Sequence, residues 1–201
     1  MSTATAIQPG SAVRRAAHPI DTLFIDRWSP RAMTGEAISE EELLSLFEAA
    51  RWAPSSYNNQ PWRMIYARRD TPAWDGLFNL MIDFNQSWTK NAGALVLFIS
   101  KKTFDHNGKP CQTHSFDTGA AWANFALQGW KMGLVVHGME GFDYGRAKKE
   151  LNIPDDYHVE ALMAVGRHGD PSQLPDAMRE KEKPNDRRPV EKTAFEGKFR
   201  G

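Results

Sequence analysis

The chain has 201 residues, 41% of them hydrophobic, which is enough for one domain with a sizeable core and short for two. Lysine plus arginine balances aspartate plus glutamate at 25 each, so no long-range field favours nucleic acid or an anionic membrane, and any anion site has to be local. The single cysteine, Cys111, excludes an intrachain disulfide and a thiolate-rich zinc site; it fits a reducing compartment and makes the cytoplasm the expected location.

Met1 to Ala17 mixes Ser, Thr, Pro, Gly and Arg without a continuous apolar core, and reads as a disordered tail rather than a signal peptide. No stretch approaches the roughly 20 apolar residues of a membrane span. The patterned body runs from about His18 to Asp170. Ser39 followed by Glu42 has capping-box spacing, and Leu43, Leu44, Phe47 and Ala50 recur at helical intervals, so the pattern predicts a helix from Glu40 to Trp52 that Pro54 ends. Arg63 to Arg68 alternates and predicts a strand, and Ala94 to Ser100 is a continuous apolar run that predicts a more deeply buried one. From Asp117 to Met132 the chain is apolar nearly all round, the mark of a central helix enclosed on every side. Leu134 to His137 and Val159 to Val165 add two strands, with a short helix near Gly145 to Leu151 between them that Pro154 closes off. The fold class is α+β. After Gly169 the chain is polar and punctuated by Pro171, Pro175, Pro184 and Pro189, too poor in apolar residues for a core of its own, so it should dangle or wrap a partner.

Three constellations carry chemistry. Arg27-Trp28-Ser29-Pro30-Arg31 sets two guanidinium forks and a hydroxyl within five residues, a donor set for phosphate oxygens as well as an ordinary charged turn. Ala53 to Trp62, with Pro54, Ser55, Ser56, Asn58, Asn59 and Gln60, is turn chemistry on its face; its amides and hydroxyls also suit a ring edge that alternates carbonyls and N–H groups. In Val135-Val136-His137-Gly138-Met139-Glu140-Gly141-Phe142, a strand-like run breaks at two glycines that would let backbone approach a flat ligand, or simply turn into a helix. No G-x-G-x-x-G fingerprint, P-loop, G-x-S-x-G elbow or zinc-binding histidine spacing occurs, so no metal is expected.

In order and spacing these strings resemble the FMN-dependent nitroreductase family, with its R-x-S-x-R/K, A-P-S-S-x-N-x-Q-P-W and G-x-E-G-F motifs. The resemblance runs from about Ile20 to Phe199 and includes Phe84-Asn85, Asp117-x-Gly119-Ala120 and Asp186-Arg187-Arg188-Pro189. It implies a mostly antiparallel sheet flanked by helices, a homodimer wrapped by residues 170–201, and FMN as cofactor. NADH or NADPH would be the electron donor and nitroaromatics, quinones or similar small molecules the acceptors, in ping-pong hydride transfer; the alternative is a non-catalytic flavin carrier or sensor on the same fold. By the same resemblance Arg27, Ser29 and Arg31, joined by Arg187 and Arg188, hold the phosphate and ribityl chain, with Trp28 contributing packing or backbone. Pro54, Ser55, Ser56 and Asn58 reach the flavin of the other subunit, and Asn85 bonds the pyrimidine edge. His137, Gly138, Met139, Glu140 and Gly141 line the ring, with the Glu140 backbone amide, the catalytic group, facing its reactive nitrogen. Asn185 stands where many relatives carry a basic residue. No side chain in the sequence stands out as a general acid, so protons are expected from water or the reduced flavin.

Overall fold

The computed structural model describes residues 4–200. Four strands, β1 (Trp62–Arg68), β2 (Ala94–Lys101), β3 (Leu134–Met139) and β4 (Tyr157–Arg167), form one antiparallel sheet in the order β1-β2-β4-β3. Strand β2 is central and buried from Ala94 through Ser100, which explains its continuous apolar run. Alternation sends Val96 and Phe98 to one face and Leu95, Leu97 and Ile99 to the other. On the first face lie α2 (Glu40–Arg51) and α5 (His114–Lys131), which contribute Leu43, Leu46, Ala121 and Phe125. On the second, α3 (Trp74–Phe78), α4 (Asp83–Thr89) and α6 (Tyr144–Glu150) contribute Leu77, Trp88 and Ala147. Two single-turn helices, α1 (Leu23–Asp26) and α7 (Asp176–Arg179), flank this body.

The Ser39–Glu42 box forms in full: Ser39 Oγ accepts from the Glu42 N–H at 3.1 Å, and the Glu42 carboxylate accepts from the Ser39 N–H at 3.0 Å. The register between β2 and β4 runs unbroken from Ala94↔Val165 to Phe98↔Ala161 and resumes at Ile99↔Val159. Glu160 is therefore an extra residue at a β-bulge, a distortion that re-aims a side chain.

Three expectations need correction. Of the expected disordered tail, residues 1–17, residues 4–17 are ordered and residues 1–3 lie outside the described residues. The Thr5 N–H donates to the His168 carbonyl at 2.9 Å, the Trp28 indole donates to the Gln8 carbonyl at 2.9 Å, and Ile7 packs on the core; hydrogen bonds to the body compensate for the segment's shortage of apolar groups. Helix α5 is enclosed on one face only: Asp117, Ala121, Phe125 and Gly129 are buried, whereas Phe116 is 81% exposed and Ala123, Leu127 and Trp130 are half-covered. The C-terminal extension covers its own domain as far as Pro184, burying Leu174 and Met178, and becomes almost wholly exposed only from Asn185 to Arg200.

Gly129 sets how closely α5 approaches the sheet, because a Cβ there would lie 2.5 Å from Val136 Cγ2 on β3. The Gly129→Ala change gains about 1 kcal/mol of helix propensity, but the buried, β-branched Val136 has no room to yield, and overpacking costs about 1–3 kcal/mol. We expect a net loss of stability, read as a lower midpoint in urea; an unchanged or higher midpoint would show that α5 can shift off β3.

Candidate functional site

Two adjacent cavities share one wall, Trp122 of α5. The first, about 420 Å³, is lined by Arg14, Arg27, Trp28, Ser29, Arg31, Trp122, His137, Lys181, Lys183, Asn185 and Arg187. The second, also about 420 Å³, is lined mainly by Ser115, Thr118 and Trp122 of α5, Gly138, Met139 and Glu140 at the end of β3, Tyr144 of α6, and Glu160 and Met163 of β4.

Six cationic side chains line the first cavity without a carboxylate among them, and none takes part in an ion pair among the described residues. The loop 27–31 is held in place by backbone bonds: Glu182 Oε1 accepts from the N–H groups of Arg31 and Ala32 at 2.6 and 2.8 Å, and the Arg31 guanidinium has no partner among the described residues. Arg27 Nη1 donates to Ser29 Oγ at 3.1 Å. Burial, then the charges of Arg187 and Arg14, lower the Arg27 pKa, the signature of cations gathered without a counter-ion. An anion is what this arrangement accommodates best.

His137 forms part of the same wall. Its Nδ1 lies 2.9 Å from the Pro30 carbonyl and so carries the proton, and its ring packs against Trp88 at 4.8 Å between centroids. Burial above all, then Arg31 and Arg27, pushes its pKa down to about 4.

The second cavity is mostly apolar, with polar atoms at defined points. Thr118 Oγ1 and Trp122 Nε1 are buried and take no partner, and the Glu140 N–H donates to no group among the described residues. Such atoms fit a polar, flat occupant. The bulged Glu160 carboxylate stands at the edge, where its Oε1 accepts from Ser115 Oγ at 2.7 Å and from Ser100 Oγ. Ser100 Oγ is 2.7 Å from His114 Nδ1, and His158 Nε2 lies 4.0 Å from Glu160 Oε2. Glu160, Ser115, Ser100 and His114 thus form a hydrogen-bonded polar edge to the cavity.

Of the expected site residues, Arg27, Trp28, Ser29, Arg31, His137 and Arg187 come together in the first cavity, and Gly138, Met139 and Glu140 in the second. Arg188 lines an adjoining cleft with His18 and Phe24, which shares Arg14 and Arg187 with the first cavity. Asn85 lines neither cavity; it is 7% exposed, and its Nδ2 donates to the Gly141 carbonyl at 2.9 Å, so in this structure it shapes the 139–143 turn from behind. Gly141 admits that amide, because a Cβ there would lie 2.7 Å from Asn85 Nδ2. Pro54, Ser55, Ser56 and Asn58 also line neither cavity of their own chain. Their loop projects, with Tyr57, Asn58 and Gln60 at φ of 52°, 52° and 48° and Tyr57 83% exposed. This left-handed backbone is costly for non-glycine residues; buried Asp117 helps to hold it by accepting from the Ser56 N–H at 3.0 Å.

Sequence reasoning missed Arg14, Lys181, Lys183, Trp122 and the Ser100–His114–Glu160 group. The alternation of His158 and Glu160 and the Lys181-Glu182-Lys183 string were the available signals.

Because His137 takes up its proton in the unfolded chain near pH 6.5 but in the folded chain only near 4, unfolding binds a proton across that interval. This contribution is fully present above pH 6.5 and is lost as pH falls towards 4. His137→Asn keeps an N–H for Pro30 without titrating, so the difference in melting temperature between pH 6.5 and 4 should be smaller in the variant; equal pH dependence would mean that His137 is not held neutral.

Residues 25–73 and 69–167 match the nitroreductase family. A solved structure described as an oxidoreductase containing FMN superposes with a TM-score of 0.90 at 46% identity, over 94% of this chain and 96% of that one. A Streptomyces coelicolor protein provisionally named an NADH dehydrogenase/NAD(P)H nitroreductase is 24% identical over 74% of this chain and 83% of its own. The major NAD(P)H-flavin oxidoreductase of Aliivibrio fischeri is 31% identical over 43% of this chain and 41% of its own. With the match covering most of the domain, the chain belongs to the nitroreductase family.

Proposed function

We propose that the protein is an FMN-dependent oxidoreductase that takes electrons from NADH or NADPH and passes them to small organic acceptors such as nitroaromatics or quinones. The observation that carries this reading is the cavity of six unpaired cations that meets, at Trp122, an apolar cavity with unpartnered polar atoms on its walls. A phosphate tail beside a flat heterocycle matches that division of charge. Arg27, Ser29, Arg31 and Arg187 would hold the phosphate and its adjoining chain, with Trp28 packing behind them and the neutral His137 adding no charge of its own. Gly138, Met139, Glu140 and Gly141 would line the ring.

When bound, FMN supplies two-electron hydride chemistry between a nicotinamide and an acceptor. The Glu140 N–H, without a partner among the described residues, offers a fixed donor at the ring, and a preorganised backbone donor at a reacting centre is worth on the order of 100-fold in rate. The Glu160 carboxylate, which accepts from Ser115 and Ser100 at the cavity edge, would be a polar contact for the acceptor. One apolar cavity serves donor and acceptor in turn, which makes turnover ping-pong.

The working unit in this reading is a homodimer. Leu44, Phe47, Trp52 and Met64 line an open groove of about 740 Å³ on the α2 side, Phe116 and Trp130 leave part of α5 uncovered, and the tail from Asn185 onward buries little against its own domain. A second copy would cover these surfaces, and Pro54, Ser55, Ser56 and Asn58, which project from the site of their own chain, would reach the ring of the other.

Purified protein should carry about one FMN per chain, bleach anaerobically with excess NADH or NADPH, and regain its colour with a quinone or nitroarene. Flavin that binds but neither bleaches nor recolours would mark a carrier.

A further inference from the structure

The family match begins at residue 25, yet the cation cavity is closed in part by a residue that precedes it. Arg14 is only 5% exposed, and four of its five N–H groups are engaged. Its Nε donates to the Asn185 carbonyl at 2.6 Å, Nη1 to the carbonyls of Ile25 at 2.9 Å and Arg27 at 3.0 Å, and Nη2 to Asn185 Oδ1 at 3.2 Å. One guanidinium thus joins three separate segments: the N-terminal one, the start of the Arg27–Arg31 loop, and the C-terminal one that carries Arg187. The remaining Nη2 N–H has no acceptor among the described residues, and Arg14 lines the cavity.

The approach is built into the backbone. Gly10 opens a 3-10 turn, Gly10–Ala12, whose carbonyl accepts from the Arg14 N–H at 2.8 Å. A Cβ at Gly10 would lie 2.0 Å from the Ile25 carbonyl oxygen and 2.8 Å from Arg14 Nη1, so only glycine lets the turn lie close enough for Arg14 to enter. Ser11 N–H fixes the turn against Asp26 Oδ1 at 3.1 Å. The guanidinium enters at a cost, since Arg187 and Arg27 are already there; burial and Arg187 lower its pKa, and Asp186 offsets this in part. A buried cation beside two others is stabilised when an anion arrives.

We propose that residues 4–17 are a clasp over the phosphate cavity, with Arg14 as its anion-binding residue: the free Nη2 N–H contacts the phosphate, and the other four tie both ends of the chain around it. Occupancy of the cavity and ordering of the two terminal segments are then linked, each favouring the other. This rests on the FMN reading above for the identity of the phosphate, but not for the anion site itself.

The test compares FMN with riboflavin, which lacks the phosphate, by fluorescence quenching on the unaltered chain, Arg14→Gln, Arg14→Lys and, as a control on the exposed neighbour, Arg15→Gln. Arg14→Gln should weaken FMN on the order of 10- to 100-fold, the worth of one charge-assisted bond, while riboflavin affinity stays within about twofold. Arg14→Lys should fall between, and Arg15→Gln should bind as the unaltered chain does. An equal loss for both ligands, or none, would overturn the proposal. A second readout needs no flavin: pyrophosphate should protect the Arg15–Ala16 bond from trypsin in the unaltered chain and fail to do so in Arg14→Gln. If FMN binds no more tightly than riboflavin to the unaltered chain, the cofactor reading fails and the pyrophosphate result alone decides the clasp: protection lost with Arg14 supports it, and equal protection overturns it.

Discussion

The gathering of Arg14, Arg27, Arg31, Lys181, Lys183 and Arg187 around one cavity, with Arg14 and Arg27 partly withdrawn from water, is the constraint on which the site depends. Like charges brought together out of water cost free energy unless something holds them, and here the holding is done by groups that carry little or no charge of their own at the cavity. Backbone carbonyls of Ile25, Arg27 and Asn185 take Arg14, Ser29 takes Arg27, and Glu182 spends its Oε1 on the backbone of residues 31 and 32 instead of on a guanidinium. The result is a positive cavity in a chain whose formal charge is zero. The field that recruits an anion is local, and it is made by geometry.

The sheet provides the rigid side of the site. Strand β3 delivers His137 to the cation cavity and Gly138 to the apolar one, so a single residue step crosses from charge to ring. The β4 bulge turns Glu160 towards the same apolar cavity, where an unbroken register would continue the ladder. Behind them, Asn85 fixes Gly141 and Asp117 fixes Ser56; both are buried polar groups whose effect on the site passes through backbone they hold.

Much of this was legible in the sequence where local chemistry decides structure. The Ser39–Glu42 box and the apolar run of β2 each predict what forms, because the determining atoms lie within a few residues of one another. What could not be read depends on distant partners. Arg14 meets Asn185 across 171 residues, and nothing in the composition of residues 4–17 announces a partner at the other end of the chain. Glu160 looks like one more polar residue on a strand until the bulge re-aims it. The helices α3 and α4, at five and seven residues, are too short to establish a period. Helix α5 reads as apolar all round because the sequence records every surface it can bury, whereas a single chain supplies only one of them.

The account stands most directly on where an FMN phosphate would sit. A crystal structure of the protein with FMN should place the phosphate oxygens within hydrogen-bonding distance of Arg27, Ser29, Arg31 and Arg187, with the ring across Trp122 beside Gly138 to Glu140. FMN bound with its phosphate outside that cation cavity, or with the ring away from the end of β3, would contradict it.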